Sequence, residues 1–153
     1  NLGIPRGEAK QIIDDYFAQF PGVRSYMDEQ IAYCRKHGFV KTLLDRRRYL
    51  PDINNANATV RAQAERIAIN APMQGTAADI IKVAMVRIHE RIRTSKLRSR
   101  MLLTVHDELV FDVHRTEEEE MQALVKELME GAMKLNVPLV VDMHLGKNWL
   151  EAH

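Results

Sequence analysis

The sequence has a single cysteine, Cys34, among 153 residues, so an intrachain disulfide is excluded. It also lacks any apolar run close to the roughly 20 residues that cross a bilayer, and it shows no signal-peptide pattern. We therefore expect a cytoplasmic protein in a reducing compartment, without a membrane anchor. The chain begins Asn-Leu-Gly rather than with methionine, so we expect it to be a piece of a longer polypeptide.

Negative charge is scarce in the middle of the chain, and positive charge is scarce at its end. Residues 41–100 hold thirteen Lys and Arg against five Asp and Glu, whereas residues 101–153 hold four against eleven. A basic middle attracts polyanions, and an acidic end suits metal ions. Two solvated faces without a partner would show the same segregation, so the composition leaves both interpretations open.

Apolar spacing predicts an α+β fold, with an antiparallel sheet covered by helices on one face and a mostly helical portion before it. Proline and glycine mark most of the boundaries. Helices are predicted at 6–20, 23–37, 58–70, 76–94 and from a Thr116–Glu119 capping box to 135, with a bend or an interruption at Pro72. Strands are predicted at 39–44, 47–50, 102–105, 109–113 and 139–145, and residues 52–57 are predicted to be a loop.

The stretch 102–113 predicts two strands joined by a turn at His106 and Asp107, with Glu108 just beyond it. The turn lacks the glycine or Asn-Gly pair that two-residue hairpins favour, and such a local mismatch is typical of a functional site. Adjacent carboxylates repel each other unless a cation lies with them, and hard oxygen ligands suit Mg²⁺. A plain surface hairpin with a wet, polar tip is the alternative.

Arg66, Asn70 and Gln74 are four residues apart, so they share one helix face if the helical direction persists past Pro72. These donor side chains suit the minor groove of a duplex, where A·T and T·A pairs both present acceptors. A solvated helix face is the alternative. The three arginines at 46–48 are interpreted either as a solvated loop tip or as a phosphate contact.

Three separate segments resemble the bacterial polymerase I type of family A DNA polymerases, in the right order and spacing. They are Tyr-Leu-Pro-Asp-Ile at 49–53, the run from Ala-Glu-Arg at 64–66 to Ile-Asn-Ala-Pro-Met-Gln-Gly-Thr-Ala-Ala-Asp-Ile-Ile-Lys at 69–82, and Val-His-Asp-Glu-Leu-Val-Phe at 105–111. The resemblance extends from residue 4 to residue 153. The His-Asp-Glu tip matches the segment known in the family as motif C.

The resemblance implies a DNA-directed DNA polymerase, a nucleotidyltransferase of DNA replication and repair that acts on primer-template DNA and deoxynucleoside triphosphates. Residues 1–58 would form the C-terminal part of the fingers, and residues 59–153 most of the palm. Asp107 would bind the catalytic Mg²⁺ ions, two in the complete enzyme, and Glu108 would be catalytic beside it. The residues implied to contact DNA are Arg61, Arg66, Asn70, Gln74 and His106.

Two parts that the family uses are missing from the sequence. One is a second metal-binding aspartate on an early palm strand, and the other is the fingers helix that binds the incoming nucleotide. We therefore expect the isolated chain to be inactive, and its exposed sheet edge could pair with a second copy. A non-catalytic duplex-binding module and a metal-dependent nuclease built on Asp107 and Glu108 are the alternative functions.

Overall fold

The computed structural model describes residues 3–152. Within these residues, four α-helices and two antiparallel hairpins follow one another, which confirms the predicted α+β class. The helices are α1 (Arg6–Gln19), α2 (Pro21–His37), α3 (Ala58–Thr94) and α4 (Glu118–Glu130), and the strands are β1 (Phe39–Lys41), β2 (Arg47–Tyr49), β3 (Arg100–Val105) and β4 (Glu108–Asp112). The strands pair as β1–β2 and β3–β4. None of the described helices is both long and apolar enough to cross a bilayer.

The chain divides into two compact units, Asn1–Gly75 and Thr76–His153, and the division falls within α3. The predicted boundary between fingers and palm, near residue 58, is a functional division and stays a prediction. Each unit has its own group of buried apolar side chains, which we call the first cluster and the second cluster. The first cluster consists of Cys34, Val40, Leu50, Ile53, Ala64, Ala68 and Ala71. The second consists of Ala84, Ile88, Met121, Leu124, Val125 and Ala132.

In the first unit, α2 ends where the sequence predicts it to end. Gly38 takes the left-handed conformation with φ 77°, and its N–H donates to the Cys34 carbonyl at 2.7 Å. A left-handed residue after a helix is cheapest as glycine. Cys34 itself is fully buried, so it fills the core, and burial raises the pKa of its thiol.

Helix α1 forms as predicted, but its apolar side is only partly covered by the part of the chain that the structure describes. No residue of α1 is buried. Ile12, Ile13, Tyr16 and Phe20 are each about half exposed. The spacing of apolar residues predicts which side chains share a helix face, but it does not predict how far that face is buried.

Of the bend or interruption predicted at Pro72, the interruption is wrong, because α3 is one helix of 37 residues with Pro72 inside it. Proline lacks one N–H and costs a helix interior about 3 kcal/mol. Ala64, Ala68 and Ala71 are buried on the same helix, and their packing in the first cluster offsets that cost. The helix therefore continues through the stripe at 66–74.

In the second unit, the hairpin of β3 and β4 rests on the second cluster through one side of β4. Leu109, Phe111 and the following Val113 pack against the cluster, as their alternation predicts. The register pairs Val105 with Glu108 and Arg100 with Asp112, with an irregularity between Met101 and Leu103. The apolar anchors of β4 thus lie immediately behind the hairpin tip.

Helix α4 departs from its prediction at both ends. The Thr116–Glu119 capping box does not form: α4 begins at Glu118 without a side-chain cap, after a short 3₁₀ turn at Arg115–Glu117. The Thr116 N–H instead donates to His114 Nδ1 at 3.4 Å. The helix ends at Glu130 rather than near residue 135, because Gly131 follows as its C-cap.

Two further predictions of local structure need correction. Residues 139–145 form no strand, and the Val141 N–H donates to the Glu130 side chain at 3.2 Å. A strand needs a neighbour to accept its backbone hydrogen bonds, and the described residues offer these residues none. The loop predicted at 52–57 is partly helical, since Pro51–Asn54 is a 3₁₀ helix. Ile53 of this helix is buried in the first cluster.

Candidate nucleic-acid and metal site

His106 and Asp107 form a two-residue turn between β3 and β4, and Glu108 begins β4. His106 has φ 53°, whereas Asp107 has a negative φ. A positive φ is uncommon for a residue with a Cβ atom, and glycine is the residue usually found with a positive φ in tight hairpin turns. His106, Asp107 and Glu108 are all exposed, so the strands present them to solvent while Leu109 anchors the hairpin from behind.

The tip offers hard oxygen donors, but it does not by itself complete a metal site. No group of three or more His, Cys, Asp and Glu side chains suited to a metal occurs within residues 3–152. Mg²⁺ is commonly bound through one or two carboxylates together with waters and substrate phosphates. The chemistry of Asp107 therefore fits Mg²⁺ as one ligand of a site whose other donors come from outside this turn.

The base of the hairpin is fixed by a carboxylate that the sequence analysis did not single out. Glu117 accepts hydrogen bonds from the Arg98 N–H and the Ser99 N–H, both at 2.9 Å, and from the Ser99 hydroxyl at 2.7 Å. The backbone donation from Arg98, followed by that of the Ser99 hydroxyl, lowers the pKa of Glu117. The Ser99 Oγ in turn accepts from the His114 N–H at 3.0 Å. These contacts join the start of β3 to the segment after β4.

The stripe of Arg66, Asn70 and Gln74 lies exposed on α3, and the helix is continuous through it. Eight residues of α-helix span about 12 Å, so the three side chains form a row of that length. Arg66 Nη2 donates to Gln63 Oε1 at 3.3 Å. The face that carries the stripe is polar, whereas Ala68 and its neighbours on the other side are buried.

Arg61 is held by the backbone that precedes α3. Its Nη1 donates to the Asn55 carbonyl at 2.8 Å and lies 3.4 Å from the Ala56 carbonyl. One edge of the guanidinium is therefore engaged in closing the loop before α3. A contact with DNA would have to use the remaining N–H donors, and that role of Arg61 stays a prediction.

The three successive arginines differ in their surroundings. Arg46 Nη2 donates to the Gly75 carbonyl at 2.9 Å, and the Arg47 guanidinium lies 4.6 Å from the centre of the Phe39 ring. Arg48 is exposed on β2. Arg46 thus has a structural role within the first unit, and neither sequence interpretation of the triplet had included it.

A family model described as DNA polymerase family A matches residues 1–151. The chain belongs to DNA polymerase family A. This confirms the resemblance on which the candidate residues were chosen.

Individual relatives in family A agree with this match. The chain is 51% identical over 152 residues to DNA polymerase I of Streptococcus pneumoniae strain TIGR4, and 51% identical over 152 residues to DNA polymerase I of Geobacillus stearothermophilus. Each alignment covers 99% of this chain but 17% of the relative. The chain therefore spans about a sixth of the length of these family A relatives.

A solved family A structure gives the same result. The POL domain of Pol1 from M. smegmatis, in complex with DNA primer-template and dNTP, matches with a TM-score of 0.95 and 48% identity. The match covers 99% of this chain and 27% of that one.

The candidate residues form two groups, one in each compact unit. His106, Asp107 and Glu108 lie together at the hairpin tip in the second unit. The stripe of Arg66, Asn70 and Gln74, with Arg61 five residues before it, lies in the first unit. Sequence patterns singled out the hairpin tip and the stripe, whereas Arg61 was named from the family resemblance alone. The contacts of Glu117 and of Arg46 have no comparable signal, because they join residues that are 18 to 29 positions apart.

Proposed function

We propose that this chain is part of a longer polymerase that carries out template-directed DNA synthesis in replication and repair in the cytoplasm. Primer-template DNA and deoxynucleoside triphosphates are its proposed partners. The observation that carries the proposal is the exposed His106-Asp107-Glu108 turn in a chain of family A. The M. smegmatis relative, bound to DNA primer-template and dNTP, supports the choice of substrate.

In the proposed mechanism, the Asp107 carboxylate would hold Mg²⁺ near the primer terminus. Bound Mg²⁺ would supply charge neutralisation and activation of the primer hydroxyl, in a two-metal arrangement. Glu108 adds negative charge next to Asp107, and His106 lies at the first position of the turn, where it would orient the primer end. The hairpin contributes rigidity, because Leu109 and Phe111 anchor β4 in the second cluster.

The stripe on α3 would follow the minor groove behind the primer terminus. Arg66, Asn70 and Gln74 all carry N–H donors, and every A·T and T·A pair offers acceptors in that groove. Donors that reach these acceptors test the shape of a base pair without reading its sequence. A polymerase requires such contacts, because its template varies.

Substitution of Asp107 in the complete polymerase tests the metal role. We expect Asp107→Asn to lower the rate of primer extension by about a thousandfold or more, since one metal ligand is lost at the reacting centre, while primer-template binding persists. Asp112→Asn is the matched control: it makes the same charge change in the same hairpin, on an exposed residue that pairs with Arg100 at its base. Near-normal extension by Asp107→Asn would show that the metal role is wrongly assigned.

We also propose that the isolated chain is inactive, because its sequence lacks the second metal-binding aspartate and the nucleotide-binding fingers helix that the resemblance implies for the complete enzyme. Primer extension by the purified chain with Mg²⁺ and all four nucleotides would contradict this. The second hairpin has only two strands in the described residues. Self-association through its free edge remains an expectation, which sedimentation of the isolated chain would test.

A non-catalytic duplex-binding role is the second candidate for the isolated chain. The exposed stripe of Arg66, Asn70 and Gln74 favours it, as does the basic segment 41–100. Binding to duplex DNA should then fall steeply with salt, because phosphate neutralisation releases counterions. Asp107→Asn should leave that binding unchanged. Absence of binding at low salt would remove this role.

A further inference from the structure

The turn of the first hairpin, between β1 and β2, is held by contacts of its own residues. Thr42 Oγ1 accepts from the Leu44 N–H and the Arg46 N–H, both at 3.3 Å, and the Thr42 N–H donates to the Arg46 carbonyl at 3.0 Å. Asp45 has φ 61°, and its carboxylate pairs with Lys41 Nζ at 2.6 Å. We call residues 42–46 the hairpin turn. Its conformation is fixed locally, so it can act as a rigid support.

The hairpin turn closes directly on α3 at Gly75. A Cβ atom at Gly75 would lie 2.5 Å from Thr42 Cγ2 and 3.4 Å from Arg46 Nη2, so no side chain fits there unless the turn moves. Arg46 Nη2 also donates to the Gly75 carbonyl at 2.9 Å. Thr42 is buried in this contact, with 8% of its surface exposed. Gly75 is therefore needed for close approach.

The contact between Gly75 and the hairpin turn lies close to a point where the backbone of α3 lacks one hydrogen bond. Pro72 cannot donate to the Ala68 carbonyl, so one backbone hydrogen bond of the helix is missing three residues before Gly75. Gln74 directly precedes Gly75, and it is the last residue of the exposed stripe. The backbone that carries Gln74 is thus braced from outside by the hairpin turn.

We propose that the hairpin turn, seated on Gly75 through Thr42 and Arg46, positions the Gln74 amide and so sets how the polymerase treats a mismatched primer end. Gly75, Thr42 and Arg46 are positioning residues that act through Gln74. The inference rests on the proposed function, because it requires Gln74 to contact the duplex. It adds a determinant of mismatch extension that lies outside the stripe itself.

Gly75→Ala in the complete polymerase is the first test. The added methyl group must displace Thr42 or shift the helix, and a displacement near 1 Å at a positioned group can cost up to about a hundredfold in rate. We expect kcat/KM for extension of a matched primer to fall about tenfold, and extension of a mismatched primer to fall further. Gly22→Ala is the matched control, because Gly22 is also helical but has nothing within 4 Å of its would-be Cβ.

A compensating substitution separates the contact from other effects. Thr42→Ser removes the methyl carbon that meets the new Cβ but keeps the hydroxyl that accepts from Leu44 and Arg46. Gly75→Ala combined with Thr42→Ser should therefore restore most of the lost rate. It should also return the mismatched-to-matched ratio, which is kcat/KM for a mismatched primer divided by kcat/KM for a matched primer, close to its wild-type value. If Gly75→Ala does not yield folded enzyme, Thr42→Val, which keeps the methyl carbon but loses both hydrogen bonds, is expected to shift the ratio in the same direction.

Measuring Gly75→Ala in a polymerase that already carries Gln74→Ala tests whether Gly75 acts through Gln74. If it does, Gly75→Ala should change the mismatched-to-matched ratio little once Gln74 is already truncated. Equal loss for matched and mismatched primers, or full additivity with Gln74→Ala, would overturn the inference while leaving the proposed function intact. No effect of Gln74→Ala alone would remove both this inference and the duplex contact assigned to Gln74.

Discussion

Truncation of Ile88 measures how strongly the second cluster supports the hairpin that carries Asp107. Ile88 is fully buried on α3, and Leu109 and Phe111 pack against the cluster that contains it. Ile88→Val removes one methylene group, which is worth about 0.8 kcal/mol of transfer free energy. Ile88→Ala removes three carbons and leaves a cavity, so we expect it to lower the unfolding free energy by about 2–5 kcal/mol.

Hydrogen exchange of the α4 and β4 amides in the complete polymerase provides the assay, because it reports the free energy of local opening. Protection should fall in the order wild type, Ile88→Val, Ile88→Ala, and primer extension should weaken in parallel as the hairpin loosens. Val86→Ala is the control, since Val86 is 59% exposed on the same helix and should cost under about 0.5 kcal/mol. An equal loss for Val86→Ala and Ile88→Ala would refute the placement of the second cluster.

Three further predictions concern single residues. Lys96 lies just after α3 with φ 57°, in a cap where the Leu97 N–H donates to the Ile92 carbonyl, so Lys96→Gly should raise the unfolding free energy in urea by roughly 1 kcal/mol. The lowered pKa of Glu117 means that its contribution to the unfolding free energy is present above its ordinary pKa of 4.5 and is lost as the pH falls through the pKa of the folded state. The difference in unfolding free energy between wild type and Glu117→Gln should therefore shrink in acid. A difference independent of pH would contradict this. Cys34 is fully buried, and burial raises the pKa of its thiol, so iodoacetamide should label it slowly in the native state and rapidly in urea.

Most of the helices and both hairpins could be predicted from the sequence, because each is indicated by the local spacing of apolar residues or by a turn residue. The turn at Asp45 and Arg46, the C-cap at Gly38 and the strands around His106 all follow from side-chain alternation or from a single glycine. The error at Pro72 has a different origin. Local rules correctly assign a cost to proline, but the burial of Ala68 and its neighbours, which offsets that cost, is a tertiary property.

The missed parts of the site have one physical cause in common. Glu117 binds Ser99, and Arg46 binds Gly75, across 18 and 29 positions of the chain. At sequence level, Glu117 fitted the charge preference of a helix N-terminus, and Arg46 fitted a basic loop. Each local explanation was sufficient by itself, so nothing in the spacing indicated the long-range partner.

The tip of the second hairpin carries a conformational cost that the described contacts do not require. His106 holds a left-handed backbone, which costs about 1–2 kcal/mol for a residue with a Cβ atom, and glycine would remove that cost. Exposure at His106, Asp107 and Glu108 means that core packing does not determine which residues occupy the turn. The fold tolerates the cost, because Leu109 and Phe111 anchor β4 in the second cluster. Because core packing does not determine the residue at this exposed position, we propose that Asp107 is placed there to bind Mg²⁺ beside a primer terminus, as the proposed function requires.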